Sequence, residues 1–161
     1  MDKLTHINED GYAKMVNVSG KNETSRFAKA VGEIHMKSDT IKLITENAIK
    51  KGDVLAVAQV AGIMATKNTA NLIPMCHSIN LEGADIKFKI YDTFIKCYCE
   101  VTCSYKTGVE MEAILGVSVA LTTIYDMCKA VDKMMKISNI YLIEKKGGKS
   151  GHFLIEEIEN N

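Results

Sequence analysis

Residues 86–103, Ile86-Lys87-Phe88-Lys89-Ile90-Tyr91-Asp92-Thr93-Phe94-Ile95-Lys96-Cys97-Tyr98-Cys99-Glu100-Val101-Thr102-Cys103, decide the fold. From Ile86 to Ile90, and again from Ile95 to Cys103, apolar and polar side chains alternate, and extended backbone sends such neighbours to opposite faces. Asp92-Thr93 supplies the turn between them, so the stretch predicts an antiparallel hairpin with one face reserved for a core. Ile95, Cys97, Cys99, Val101 and Cys103 share that face, whereas Lys96, Tyr98 and Glu100 take the other. The three cysteines therefore read as core side chains. Zinc sites favour closely spaced Cys pairs with a second pair elsewhere, and beyond this strand Cys76 and Cys128 stand alone and offer no second pair.

Working outward, Ser38-Asp39-Thr40 predicts an N-cap for a helix carrying Ile41, Ile44 and Ala48, which Lys50-Lys51-Gly52 ends. Asp53 caps a second helix running from Val54 to about Thr69. Its residues are apolar on nearly every side, which fits a helix buried in the core or one buried between subunits. Asn71-Leu72-Ile73-Pro74 closes it. A long helix is expected from Glu112 to about Lys133, and residues 14–18, 27–36, 137–145 and 152–155 read as strands. The order of strands, two helices, hairpin, helix and strands predicts an α+β sandwich, a mostly antiparallel sheet with helices packed on one face. Residues 1–161 are expected to form a single domain, with about 1–12 and 157–161 loose.

Twenty Lys and Arg balance twenty Asp and Glu, so no sequence-wide field attracts a nucleic acid. Arg26 is the single arginine, and any anionic ligand would meet lysine point charges rather than planar forks. Five cysteines without a CxxC pair point to a reducing compartment and a cytoplasmic protein. No apolar run approaches the roughly 20 residues of a membrane span, so no membrane is expected.

Four places carry candidate chemistry. The exit Leu72-Ile73-Pro74-Met75-Cys76-His77 holds His77 on a stiff connector, although a lone histidine is usually structural or merely exposed. Cys76 and His77 do not form a nucleophile pair, because neighbours on extended backbone point apart. In Lys106-Thr107-Gly108-Val109-Glu110-Met111-Glu112, the two carboxylates share a face if the backbone there is extended; otherwise they are solvated acids at a helix start. Asp126 and Lys129 lie on one helix face, as an ordinary ion pair or as a tuned acid/base couple. Gly147-Gly148-Lys149-Ser150 is not a Walker loop, since Ile143 stands where that motif needs its first glycine. With Lys145 and Lys146 it forms either a solvated turn or a phosphate-binding one.

Taken together, Leu4-Thr5-His6-Ile7-Asn8, Met15-Val16, Lys51-Gly52-Asp53-Val54, Ala61-Gly62-Ile63, the stretches 72–77 and 106–113, Thr123-Ile124-Tyr125-Asp126-Met127-Cys128-Lys129-Ala130-Val131 and residues 147–151 resemble the molybdenum cofactor biosynthesis protein C family, the cyclic pyranopterin monophosphate synthases. The resemblance runs from residue 4 to about 153. It implies a ferredoxin-like sandwich and a lyase that rearranges 3′,8-cyclo-7,8-dihydro-GTP, the product of an upstream radical enzyme, into cyclic pyranopterin monophosphate and diphosphate. It also implies a homo-oligomer, a hexamer built as a trimer of dimers with sites at subunit interfaces. Lys51, Asp126 and Lys129 match the family's catalytic positions. Met75, Cys76, His77, Glu110, Met111, Glu112 and Lys145 match substrate-contacting ones, and Lys149 joins them.

No metal site and no required cofactor are implied, with Mg²⁺ on the substrate triphosphate as an option. In this reading Lys51 and Lys129 transfer protons if burial or neighbours lower their pKa, and Asp126 orients or deprotonates its lysine partner. The chain departs from the family pattern at Ser78, Asn17, Tyr105 and His152, where proline, aspartate, glycine and aspartate are usual. The competing expectation is a non-catalytic nucleotide- or pterin-binding oligomeric module.

Overall fold

A computed structural model describes residues 6–156. In chain order the elements are β1 (Thr24–His35), α1 (Ser38–Thr45), α2 (Val54–Thr66), α3 (Thr69–Leu72), β2 (Gly83–Ile90), β3 (Phe94–Tyr105), α4 (Glu110–Cys128), β4 (Lys136–Lys146) and β5 (Phe153–Leu154). The sheet runs β2-β3-β1-β4-β5 and every neighbouring pair is antiparallel. Strand, helix, two strands, helix and strand with β1 and β3 central is the ferredoxin-like α+β arrangement. Helices α2 and α4 cover one face of it.

The hairpin forms as its alternation predicts. Ile86 pairs with Cys99 and Ile90 with Ile95, and Ile95, Cys97, Cys99, Val101 and Cys103 are all buried beneath the helices. Burial pushes the Cys97 thiol far up and the Cys99 thiol up to about 12, so these sulfurs stay protonated core groups. All five cysteines are free.

Small residues let α2 lie directly on α4. A Cβ on Gly116 would sit 2.6 Å from Cys99 Sγ and 2.9 Å from Thr66 Cγ2, and one on Gly62 would sit 2.9 Å from the Gly116 carbonyl oxygen. Asp53 caps α2 as expected, its carboxylate accepting from the Ala56 N–H at 3.0 Å. The inner side of α2 carries Val54, Ala58, Gly62 and Ala65 in the core, whereas Val57, Val60 and Met64 are exposed on the other. The core reading of its all-round apolarity thus holds for the inner side, and the outer side is an exposed apolar surface. α4 is the one helix among the described residues long and apolar enough, by length and composition, to cross a bilayer. The expectation that no stretch reaches that mark is therefore wrong. The cause is its place in the core, where Val117, Ala120, Leu121 and Ile124 are buried against the sheet and α2.

Other expectations need correction. Residues 14–18 are not a strand; they cross the surface as a strap whose Val18 is buried and whose Val16 carbonyl is claimed by His77 rather than by a sheet neighbour. Ser38 does not cap α1, which begins at Ser38 itself after Lys37 and ends at Thr45, where Asn47 turns left-handed at φ 56°. α2 stops at Thr66 rather than about Thr69, α4 starts at Glu110 and stops at Cys128, and β5 shrinks to two residues.

Candidate active site

Two groups of functional side chains lie at opposite ends of α4. At its C-terminal end, Asp126 and Lys129 project from the last turn and the cap, and Lys51 arrives from the loop after α1. The Lys129 ammonium donates to Asp126 Oδ1 at 2.7 Å. Lys51 donates to Asp126 Oδ2 and to its carbonyl oxygen, each at 2.9 Å. Those donated hydrogen bonds, from Lys129 first and Lys51 second, hold the Asp126 carboxyl down at about 2. The same bond raises the pKa of Lys129 above its ordinary value. For Lys129 the expectation is a lowering toward neutrality, and the carboxylate overturns it: these side chains are about half exposed, so the desolvation that opposes the ion pair is the smaller effect. Lys129 therefore holds its proton and its positive charge more tightly than a free lysine does.

At the N-terminal end, Met75, Cys76 and His77 on the connector face Thr107, Gly108, Glu110, Met111 and Glu112 across a cavity of about 310 Å³. The strap roofs it with Val16, Val18 and Lys21. His77 Nε2 lies 2.8 Å from the Val16 carbonyl oxygen. A carbonyl can only accept, so Nε2 carries the proton and Nδ1 is the basic nitrogen of the neutral ring. The strap thereby fixes the ring that Ser78, in place of proline, leaves on a less rigid connector.

Glu110 and Glu112 do not share an extended face, because the helix already includes Glu110 and turns the two apart. Glu110 pairs with Lys145 at 3.1 Å. Glu112 turns inward and is 4% exposed, so the solvated-acid alternative does not describe it either. Burial raises its pKa, and the like charge of Glu110 raises it further. Burial, with Glu112 adding to it, also pushes the Cys76 thiol up.

A second cavity of about 720 Å³ adjoins the first, sharing Lys21, Thr107, Gly108 and Glu110. Lys21, Arg26, Lys106, Lys145, Lys146 and Lys149 line it against a single carboxylate, that of Glu110. The glycine turn is required by geometry. Gly147 and Gly148 have φ of 99° and 74°, and a Cβ would collide with the Ser25 carbonyl oxygen at the first and the Arg26 guanidinium at the second.

Arg26 donates to the carbonyls of Tyr105 at 3.2 Å and Lys106 at 3.1 Å, tying the turn to the loop that enters α4. Sequence reasoning missed Arg26, Lys21 and Lys106, which are 40 or more residues from the glycines they surround; Arg26 and Lys21 carry no motif, and in the 106–112 motif only the two carboxylates drew attention. The departures are accommodated. Tyr105 contributes its carbonyl, the Asn17 amide oxygen accepts from the Ser19 N–H as a carboxylate would, and His152 pairs with Glu144 at 2.7 Å.

Cations gathered round a glycine turn, beside a cavity with a buried carboxylate and an oriented imidazole, define a ferredoxin-like protein built to hold a phosphorylated small molecule. The chain belongs to the MoaC family, whose model matches residues 15–148. It is 59% identical over 150 residues to the cyclic pyranopterin monophosphate synthase of Thermoanaerobacter sp. (strain X514), covering 92% of this chain and 95% of that one. It is 56% identical over 156 residues to the synthase of the same name from Desulfitobacterium hafniense (strain DSM 10664 / DCB-2), with 96% of each chain covered. The synthase of Peptoclostridium acidaminophilum is 53% identical over 156 residues, covering 97% of this chain and 99% of that one.

Proposed function

We propose that this chain is a cyclic pyranopterin monophosphate synthase of molybdenum cofactor biosynthesis, a lyase whose active site is completed by a second copy of itself. One observation carries the second part. α4 has 19 residues, so about 28 Å separates the Asp126 end from the Glu110 end, and neither cavity is lined by Lys51, Asp126 or Lys129. One small substrate cannot reach both ends within a chain. Bringing the C-terminal end of one protomer's α4 to the N-terminal end of another's unites all the matched residues. The exposed Val57, Val60 and Met64 on α2 supply apolar surface for such contacts, in keeping with a hexamer built as a trimer of dimers.

In this reading the triphosphate of 3′,8-cyclo-7,8-dihydro-GTP enters the cationic cavity, where Lys145, Lys149 and Arg26 offset its charge. The base-derived rings enter the smaller cavity against Met75, Cys76, His77, Met111 and Glu112. Glu112, kept protonated more readily by its burial, donates to a ring carbonyl or amide edge, and His77 accepts at Nδ1. Protonated Lys129 and Lys51 supply protons as the purine-derived ring opens and recloses, with Asp126 holding them in place. Cyclisation forms one bond from a sugar-derived hydroxyl oxygen to the α-phosphorus and breaks the α–β bridge, and the lysines stabilise departing diphosphate.

A Mg²⁺ ion accompanying the triphosphate belongs to the substrate. Among the described residues no cluster of three or more His, Cys, Asp or Glu could hold a metal. The free cysteines support a reducing cytoplasm as the enzyme's compartment.

Incubating the purified chain with the cyclised dihydro-GTP, while following diphosphate and the pterin product beside an Asp126→Ala control, tests the reading. Both products from the native chain and neither from the control support it. Binding without either product would make the chain a non-catalytic relative.

A further inference from the structure

Asp132 is the one aspartate buried among the described residues, 1% exposed, and no cavity around the substrate-matching residues includes it. Its carboxylate accepts three hydrogen bonds from two separate parts of the chain. Oδ2 takes the Lys37 N–H at 2.9 Å and the Thr40 hydroxyl at 3.2 Å, and Oδ1 takes the Met134 N–H at 3.1 Å. Lys37 occupies the N-cap of α1, where its own side chain cannot accept. The N-cap residue and the first turn of α1 are therefore held from 95 residues downstream, by the turn that leaves α4.

That turn is itself tight. The N–H groups of Val131 and Asp132 both donate to the Cys128 carbonyl, placing Asp132 just beyond the Asp126–Lys129 pair. At its other end, α1 runs into the loop that carries Lys51, and Lys51 returns to the same end of α4 by its bonds to Asp126. Ile41 and Ile44 seat the helix between these anchorages. α1 is thus a short strut fastened to the α4 exit at both ends, by Asp132 at its start and Lys51 after its finish.

We infer that Asp132 is a positioning residue of the active site: by capping α1 from the α4 exit it sets where the Lys51 ammonium meets Asp126. The inference rests on the proposed lyase reading only for its effect on turnover. Lys51 is on an exposed loop with a flexible side chain, and among the described residues its ammonium bonds only to Asp126. A strut released at its far end lets the loop drift, and displacement by about 1 Å can cost about 10²-fold in rate.

The test compares Asp132→Asn, Lys51→Met and the double variant, reading kcat, KM and the Asp126 carboxyl titration by carbon NMR. Asp126 titrates at about 2 with both lysines bonded, and Lys51→Met raises that value by removing one of them. Asp132→Asn is expected to raise it in the same direction, to lower kcat by about 10²-fold with KM little changed, and to add nothing further in the double variant. Thr40→Val removes one of the three donors and gives a smaller shift of the same sign, which keeps the measurement open if Asp132→Asn folds poorly. An unchanged Asp126 titration in both variants, or losses that multiply in the double variant, overturns the inference and leaves Asp132 as a structural cap alone. Intact turnover in Lys51→Met would instead refute the catalytic reading of Lys51, and the Asp126 titration would still decide the positioning role.

Discussion

Replacing Glu112 by glutamine should make the fold more stable at neutral pH while it damages turnover. The side chain is 4% exposed at the start of α4, and the charge acting on it is that of Glu110, of its own sign. Its folded-state pKa is raised by burial first, so the ionised form is disfavoured by the fold relative to the unfolded chain. For an acid with a raised folded pKa, the penalty is fully present above that pKa and disappears as pH falls below the unfolded value near 4.3. The carboxylate keeps a backbone hydrogen bond, so the penalty is one of desolvation, which for a buried polar group costs about 1–3 kcal/mol. At about 2–4 °C per kcal/mol for a domain of this size, Glu112→Gln should raise Tm by about 2–10 °C at pH 8. The gain should shrink at pH 5, where the native side chain is closer to its neutral form.

Thermal denaturation followed by circular dichroism at the two pH values measures this, and diphosphate release measures the accompanying loss of activity. A glutamine variant that melts lower than the native protein at pH 8, or a gain that is the same at both pH values, would refute the reasoning. A gain with full activity would keep the electrostatics and remove Glu112 from the substrate contacts.

Gly116→Val should destabilise by about 1–3 kcal/mol through overpacking, because even its Cβ would sit 2.6 Å from Cys99 Sγ; a fall in Tm of about 2–10 °C is the readout. Mixing inactive Asp126→Ala chains with inactive His77→Ala chains, after dissociation and reassembly, should restore part of the activity, because mixed interfaces then pair an intact acid/base end with an intact binding end. No restoration would place the whole site within one chain. Lys145→Met should raise KM more than it lowers kcat and flatten the salt dependence of KM, since it removes one cation from the lining of the larger cavity. The Asp126 carboxyl should stay ionised down to about pH 2, so an acid limb of the rate profile between pH 4 and 7 must belong to another group, and its disappearance in Asp126→Asn would contradict this.

The sequence alone settled whatever depends on local periodicity. Alternation through 86–103 required a strand face, and a strand face with four or five apolar residues required a core, so the cysteines in it were legible as core residues. Asp53 beside an apolar run was legible as a cap because capping is a contact between near neighbours in sequence. The pairing of Asp126 with Lys129 was legible for the same reason, being a matter of helical spacing. The order of elements, joined to short motifs, was enough for the fold class and the family.

Tertiary structure decided everything that rests on contacts distant along the chain. The strap at residues 14–18 looks like a strand until its carbonyl is seen to be taken by His77, 61 residues away. Lys51 reads as one more cation at a helix end until the fold carries it to Asp126, 75 residues away, where it adds a second ammonium to the carboxylate that Lys129 already bonds. Arg26 and Lys21 carry no motif and Lys106 belongs to one read for its carboxylates, and only the return of β4 beside β1 places all three round the glycine turn. Asp132 reads as one more helix residue until the fold brings α1 to it. Local sequence fixes which way a side chain leaves the backbone; what it meets there, and hence its charge state, depends on segments that only the packed core brings together.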